Sequence, residues 1–187
     1  MIGIDKKMIT RAIAAGIMIG IGVISKTMIE NPYLGAFMFS LGLLSVFHLQ
    51  LNLFTGKVGF KTISWKNKGL IFLGNAIGMA IIIFLYSMKS DFINKIELAS
   101  KIKFDQPWYI MLSMGIICGM LIHIATRAKD NAIITILCIM AFILIGAEHC
   151  IADLAYVYAL PSIVSISKLL LVILGNILGA RFIEEII

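Results

Sequence analysis

Charge is scarce in this chain. Only 14% of its 187 residues are Asp, Glu, Lys or Arg, against 60% hydrophobic residues. A mean hydropathy of +1.02 lies far above soluble usage. That excludes an ordinary soluble domain and points to a polytopic membrane protein. Long polar stretches are lacking too, so there is no room for a separate soluble domain. The net charge of +6 does not indicate a nucleic-acid partner, because the basic residues sit in short connections beside apolar stretches. Cysteine is also rare. Cys118, Cys138 and Cys150 all fall in apolar stretches and no pair has metal-ligand spacing. A structural disulfide inside a bilayer is improbable, so all three read as small packing residues.

Helical spans need about 20 apolar residues. Six stretches qualify: Ile9–Ile29, Leu34–Phe54, Gly69–Met88, Trp108–Thr126, Ala132–Val157 and Ile166–Ile183. The first resembles a signal segment in position, but no good small-residue cleavage site follows Lys6, Lys7 and Arg11, so it reads as retained. Basic residues set orientation. With the N-terminus inside, ten basic residues lie inside (Lys6, Lys7, Arg11, Lys57, Lys61, Lys66, Lys68, Arg127, Lys129 and Arg181) and six outside (Lys26, Lys89, Lys95, Lys101, Lys103 and Lys168). Both termini are then cytoplasmic, in a multi-pass protein of the cell inner (plasma) membrane.

The chain is also written twice. Gly16-Ile17-Met18-Ile19-Gly20 recurs as Gly115-Ile116-Ile117-Cys118-Gly119 at an offset of 99. Gly74-Asn75-Ala76-Ile77-Gly78 recurs as Gly175-Asn176-Ile177-Leu178-Gly179 at an offset of 101. This predicts one transmembrane domain over 1–187, with repeats at about 1–92 and 104–187. Three spans per half force the second copy to cross in the opposite sense, an inverted repeat with its pathway at the seam.

Polar residues interrupt the second and fifth spans at comparable places: Asn52 to Lys57, and Gly146 to Asp153. Such interruptions point to a site made of discontinuous helices, tolerated only where protein or a water-filled cavity receives the backbone. Glu148, His149 and Asp153 are costly inside a span and usually mark ion or proton paths. Their alternative is a helix that ends early at the interface. His48 and His123 also fall inside spans, where a helix–helix hydrogen bond is the plainer role.

These residues resemble the formate/nitrite transporter family of small-anion channels. Gly35-Ala36-Phe37-Met38-Phe39-Ser40-Leu41-Gly42-Leu43, followed by Leu53-Phe54-Thr55-Gly56, looks like its second-helix and Ω-loop signature. Gly74-Asn75 and Gly175-Asn176 resemble its two glycine-asparagine helix starts. Ala141-Phe142 and Gly146 to Ala152 are similar to its central histidine motif. The resemblance covers all six stretches. It implies an all-α, aquaporin-like protomer in a homopentamer within the lipid bilayer. It also implies a small anion as substrate, with a proton as partner. Carried over by position, Leu43, Leu53, Phe54 and Thr55 form one constriction, and Phe39 and Phe142 the other. His149 matches the central histidine, and Lys103 a vestibule lysine with Lys101 as substitute. Glu148 matches a carboxylate read as bonding to the broken backbone.

The chain departs from that family at two positions. Gly119 and Asp153 stand where the family usually has asparagine. His123, one turn beyond Gly119, is expected to restore the lost polar group. Asp153 is expected to favour a protonated His149 if the two are close. The implied function is passage of formate or nitrite, or alternatively hydrosulfide, neutralised by a proton at a hydrophobic constriction. Whether His149 or bulk water supplies the proton stays open. An intramembrane metal protein or enzyme is the rival from another class. It lacks a second ligand cluster with zinc spacing and any nucleophile–base pair. No cofactor, metal or enzymatic activity is expected. A purely structural subunit is the third reading, and it would gain little from equivalent polar breaks.

Overall fold

A computed structural model describes residues 6–187 and contains helices and connections only among them. The expected domain beginning at residue 1 is therefore described from Lys6 onward. Nine helices follow in order: α1 Lys6–Met28, α2 Pro32–His48, α3 Phe54–Lys57, α4 Trp65–Tyr86, α5 Ser90–Asp105, α6 Trp108–Arg127, α7 Ala132–Leu144, α8 Cys150–Ala159 and α9 Ile163–Ile186. Four of them, α1, α4, α6 and α9, are long and apolar enough to cross a membrane.

Local chemistry fixes the helix starts. Pro32 occupies the first turn of α2, and Asn31 accepts from Leu34 N at 2.9 Å. Proline suits that position because its missing N–H would be unsatisfied there anyway. Ser64 caps α4, Asn131 caps α7, and Ser162 forms a capping box with Ser165 at α9. Each cap satisfies N–H groups that a helix start leaves free.

The second and fifth apolar stretches are not single helices. The chain leaves α2 at Leu49 and re-enters as α3, and it leaves α7 at Ile145 and re-enters as α8. Gln50 (φ 52°) and Gly146 (φ 73°) turn the chain out of the two helices. The left-handed region is costly for most L-residues, and Gly146 supplies it freely.

Two helix pairs dominate the packing, α1 on α4 and α6 on α9. Backbones touch at both crossings. A Cβ added at Gly78 would stand 2.0 Å from Ile13 O, and one at Gly179 would stand 2.0 Å from Ile116 O. Small residues are what allow membrane helices to approach this closely. α2 packs on α1 and α7, closing the bundle around α3 and α8. The ends of that bundle are chemically distinct. Asn52 bonds Met8 O, Lys61 pairs with Glu185, and Glu184 meets His123 and Arg127, all at one end.

Candidate functional site

The two chain breaks are held by the same device. Asn75, in mid-α4, accepts from Phe54 N at 2.8 Å and donates to Asn52 O at 2.8 Å and Ala12 O at 2.7 Å. Asn176, in mid-α9, accepts from Cys150 N at 2.9 Å and donates to Glu148 O and Gly115 O, both at 2.8 Å. One carboxamide thus satisfies both faces of each break and ties it to a neighbouring long helix. Such bonding is required because a buried, unpaired backbone group costs several kcal/mol in an apolar medium. The glycine-asparagine pairs are therefore not helix starts, as the sequence suggested. They lie inside continuous helices, where glycine admits the neighbouring backbone and asparagine braces the break. Sequence reasoning did not place either asparagine in the site. The recurrence of Gly-Asn in both halves was the signal that could have done so.

Bracing brings the two re-entrant starts together. Thr55 Oγ1 lies 2.8 Å from His149 Nε2, both fully enclosed. His149 Nδ1 accepts from Ala152 N at 3.1 Å, capping α8. A backbone N–H can only donate, so Nδ1 carries no proton and Nε2 carries it. The imidazole is neutral and donates to Thr55.

Apolar groups surround this pair. Leu43, Leu53 and Phe54 are buried, as are Phe39 and Phe142. Phe39 and Phe142 meet edge to face with centroids 5.7 Å apart, and Phe142 stacks on His149 at 5.9 Å. A cavity of about 520 Å³ opens beside Phe39 and Phe142 and touches His149, Lys103, Glu148, Asp153 and Tyr156. A second, of about 300 Å³, lies beyond Leu53 and is lined by Arg11, Lys57 and Lys129. Arg11 and Lys26, near opposite ends of α1, line different cavities, so the two openings face opposite ends of the bundle.

Lys103 is not a free cation. Its Nζ bonds the Glu148 carboxylate, approaches Asp153 Oδ1 at 3.2 Å and lies over the Tyr156 ring at 4.9 Å. Burial disfavours its charge, but Asp153 and Glu148 outweigh burial and hold the ammonium well above the ordinary lysine range. The expectation that Glu148 bonds the broken backbone is corrected. Asn176 and Met114 O already satisfy the Glu148 backbone, which leaves its side chain to Lys103 and to Gln106 Nε2 at 3.4 Å. Asp153 likewise pairs with Lys103 and not with His149, whose two ring nitrogens already have other partners. Lys101 is exposed on α5 and lines a different surface cavity, so it does not substitute for Lys103.

Gly119 and His123 also sit elsewhere than the sequence suggested. A Cβ at Gly119 would stand 2.4 Å from Asn176 O, so the position is a helix crossing with no room for a polar side chain. His123 is buried beside Gly59 and Phe60, and its Nε2 lies 2.8 Å from Glu184 Oε2. It belongs to the contact between α6 and the end of α9, not to the Thr55–His149 pair. The three cysteines are free. Among the described residues no group of three or more His, Cys, Asp or Glu is placed to hold a metal ion.

Long apolar helices thus enclose two braced breaks, and between two opposed cavities an apolar barrier surrounds one polar pair beside a charged wall. These features define a membrane transport protein. The formate/nitrite transporter family matches residues 5–186, and the chain belongs to that family. Two solved structures share the fold. A pentameric formate channel with formate bound has a TM-score of 0.80 and 24% identity, covering 94% of this chain and 92% of its own. An FNT family ion channel has a TM-score of 0.79 and 23% identity, covering 94% and 86%. No curated protein matched the sequence. Family membership makes this a transport protein, not an enzyme.

Proposed function

We propose that the chain is a channel for small monovalent weak-acid anions, formate or nitrite first among them, which cross the barrier as neutral acids. The observation that carries this reading is the barrier itself. Leu43, Leu53, Phe54, Phe39 and Phe142 enclose a single polar contact, Thr55 to His149, between two cavities. An anion entering that space bare loses its hydration at a cost of several kcal/mol even after relaxation. A neutral acid loses far less, and the Thr55 hydroxyl and His149 N–H offer it hydrogen bonds in passage. Strong-acid anions such as chloride have no neutral form and are excluded.

The matched geometry at Asn75 and Asn176 supports an inverted three-helix repeat with six crossings, two of them broken. Arg11, Lys57 and Lys129 around the smaller cavity support a cytoplasmic placement for that end, with the termini inside and the protein in the plasma membrane. The exposed apolar side chains Leu73, Phe84, Leu170 and Phe182 face lipid or neighbouring protomers. A homopentamer fits them, as in the pentameric structural neighbour.

Uptake into proteoliposomes, with formate, nitrite, hydrosulfide and chloride compared across pH, tests this. Flux confined to weak acids and altered by His149→Asn is expected. Hydrosulfide flux above formate would make hydrosulfide the principal substrate. Sustained chloride flux comparable to formate flux would overturn the neutral-acid route.

A further inference from the structure

The wall of the larger cavity holds an unbalanced set of charges. Among the described residues Lys103 is the one ammonium paired with the two carboxylates there, Glu148 and Asp153, while Lys168 bonds the neighbouring Gln106 O. Both carboxylates are 2% exposed. Fully ionised, the three would bury one uncompensated negative charge, which is expensive and is ordinarily relieved by taking up a proton. A net negative wall would also repel the anions that the cavity is proposed to receive.

Hydrogen bonding singles out one oxygen that has room for such a proton. Both Glu148 oxygens have donors: Oε2 meets Lys103 and Oε1 meets Gln106. Asp153 Oδ1 meets Lys103, but its buried Oδ2 has no partner among the described residues. An ionised carboxylate with an empty, enclosed oxygen wastes its strongest acceptor. A protonated one turns that oxygen into a donor, and the adjacent Glu148 carboxylate can accept from it.

His149 is poorly placed for the same task. Its Nδ1 is already an acceptor, and its single N–H points at Thr55 across the barrier. Donating that proton would leave an imidazolate, and taking up a second would break the cap on α8.

We propose that Asp153 carries a proton on Oδ2 and is the acid that neutralises the entering anion, before it reaches Phe39 and Phe142. This rests on the weak-acid channel reading. In the step, a turn of the Asp153 carboxyl brings the Oδ2 proton from Glu148 to the cavity that Asp153 lines, the O–H bond breaks and an O–H bond forms on the anion, giving formic acid when the anion is formate. Asp153 is left as a carboxylate held by Lys103. A proton from water in the open cavity then restores it. The other ionisable groups around Asp153 are Lys103 from α5, Glu148 and His149 from the connection, Cys150 and Tyr156 from α8 and Cys118 from α6. Lys26 of α1 lines the same cavity. Of the other helices packed on α8, α4 and α9 bring their uncharged asparagines to the adjoining breaks, α9 also brings Lys168, bonded to Gln106 O, and α3 brings Thr55. Lys103 is the cation bonded to Asp153, so the balance turns on Glu148.

Infrared difference titration of the reconstituted protein tests the protonation, and formate uptake on the same samples tests the donation. The wild type should show the C=O stretch of a protonated carboxylic acid at neutral pH. Asp153→Asn should lack it, lose at least tenfold in uptake and lose the decline of uptake at alkaline pH. Glu148→Gln should also lose the band, although Asp153 is intact. Lys103 and Asp153 are then balanced one to one, and Asp153 ionises. A purely structural Asp153 predicts no such loss. A missing wild-type band, a band that survives Asp153→Asn, or an unchanged uptake profile in that variant would overturn the proposal. Wild-type protein that shows the band but moves no weak acid would overturn the channel reading, and with it the donation. A missing band beside normal uptake would overturn the protonated Asp153 alone.

Discussion

Replacing Asn176 by alanine should uncouple one chain break from the bundle, and its cost can be worked from three bonds. Cys150 N and Glu148 O lie at the break and have no helical partner to fall back on. Gly115 O sits inside α6 and retains its helical bond, so its loss is mild. Counting the bonds alone, at about 0.6 kcal/mol each for side-chain bonds between membrane helices, gives a floor of about 2 kcal/mol. Counting two stranded backbone groups at about 1–3 kcal/mol each gives about 2–6 kcal/mol. About 4 kcal/mol is therefore expected for Asn176→Ala. Asn75→Ala strands the equivalent Phe54 N and Asn52 O and should cost the same within about 1 kcal/mol. Reversible unfolding of purified protein in mixed micelles measures both. Ser167→Ala, which removes one exposed bond to Val164 O, serves as the control. A loss below about 1 kcal/mol in either asparagine variant would refute the bracing argument. So would a large asymmetry between them.

Thr55→Val keeps the shape at the barrier and removes the hydroxyl that His149 faces, so weak-acid flux should fall about fivefold, for a bond worth about 1 kcal/mol. Unchanged flux would remove Thr55 from the pathway. Gly78→Ala and Gly179→Ala force a Cβ to within 2.0 Å of a facing carbonyl. Each should destabilise by about 1–3 kcal/mol or more, read as a lower melting temperature of detergent-solubilised protein. Lys103→Met leaves the buried Glu148 carboxylate, beside Asp153, without its cation and should cost about 3–5 kcal/mol. Adding Glu148→Gln and Asp153→Asn to Lys103→Met should recover most of that stability without recovering uptake, because the recovery concerns charge balance only.

Chemistry local to the sequence is what made much of this protein legible. Apolar length marks the four long helices. Asn31, Ser64, Asn131 and Ser162 cap helices in the structure, a local signal that the sequence reading left unused. The polar strings at Asn52 to Lys57 and Gly146 to Asp153 mark where helices cannot continue. The family resemblance rests on these strings, and the family match over residues 5–186 agrees with it. Partners far apart in sequence were not legible. Lys103 and Glu148 stand 45 residues apart, and Thr55 and His149 stand 94 apart. Nothing in the spacing says that Glu148 turns to Lys103 while Asn176 takes its backbone. The amphipathic α5, which carries Lys103 to the cavity, read only as a connection.

Gly119 and His123 show the same limit. Sequence spacing put them one turn apart on a helix, which suggested that one compensates for the other. The crossing of α6 with α9 decides otherwise. It presses Gly119 against Asn176 O and delivers His123 to Glu184. The sequence by itself determined the membrane setting and the places where two helices break, because transfer free energy acts over a few neighbouring residues. Only the tertiary structure decided which polar groups satisfy one another. In a dry interior each such group takes the partner that helix crossings bring within reach, and those crossings are set by close packing across the whole chain.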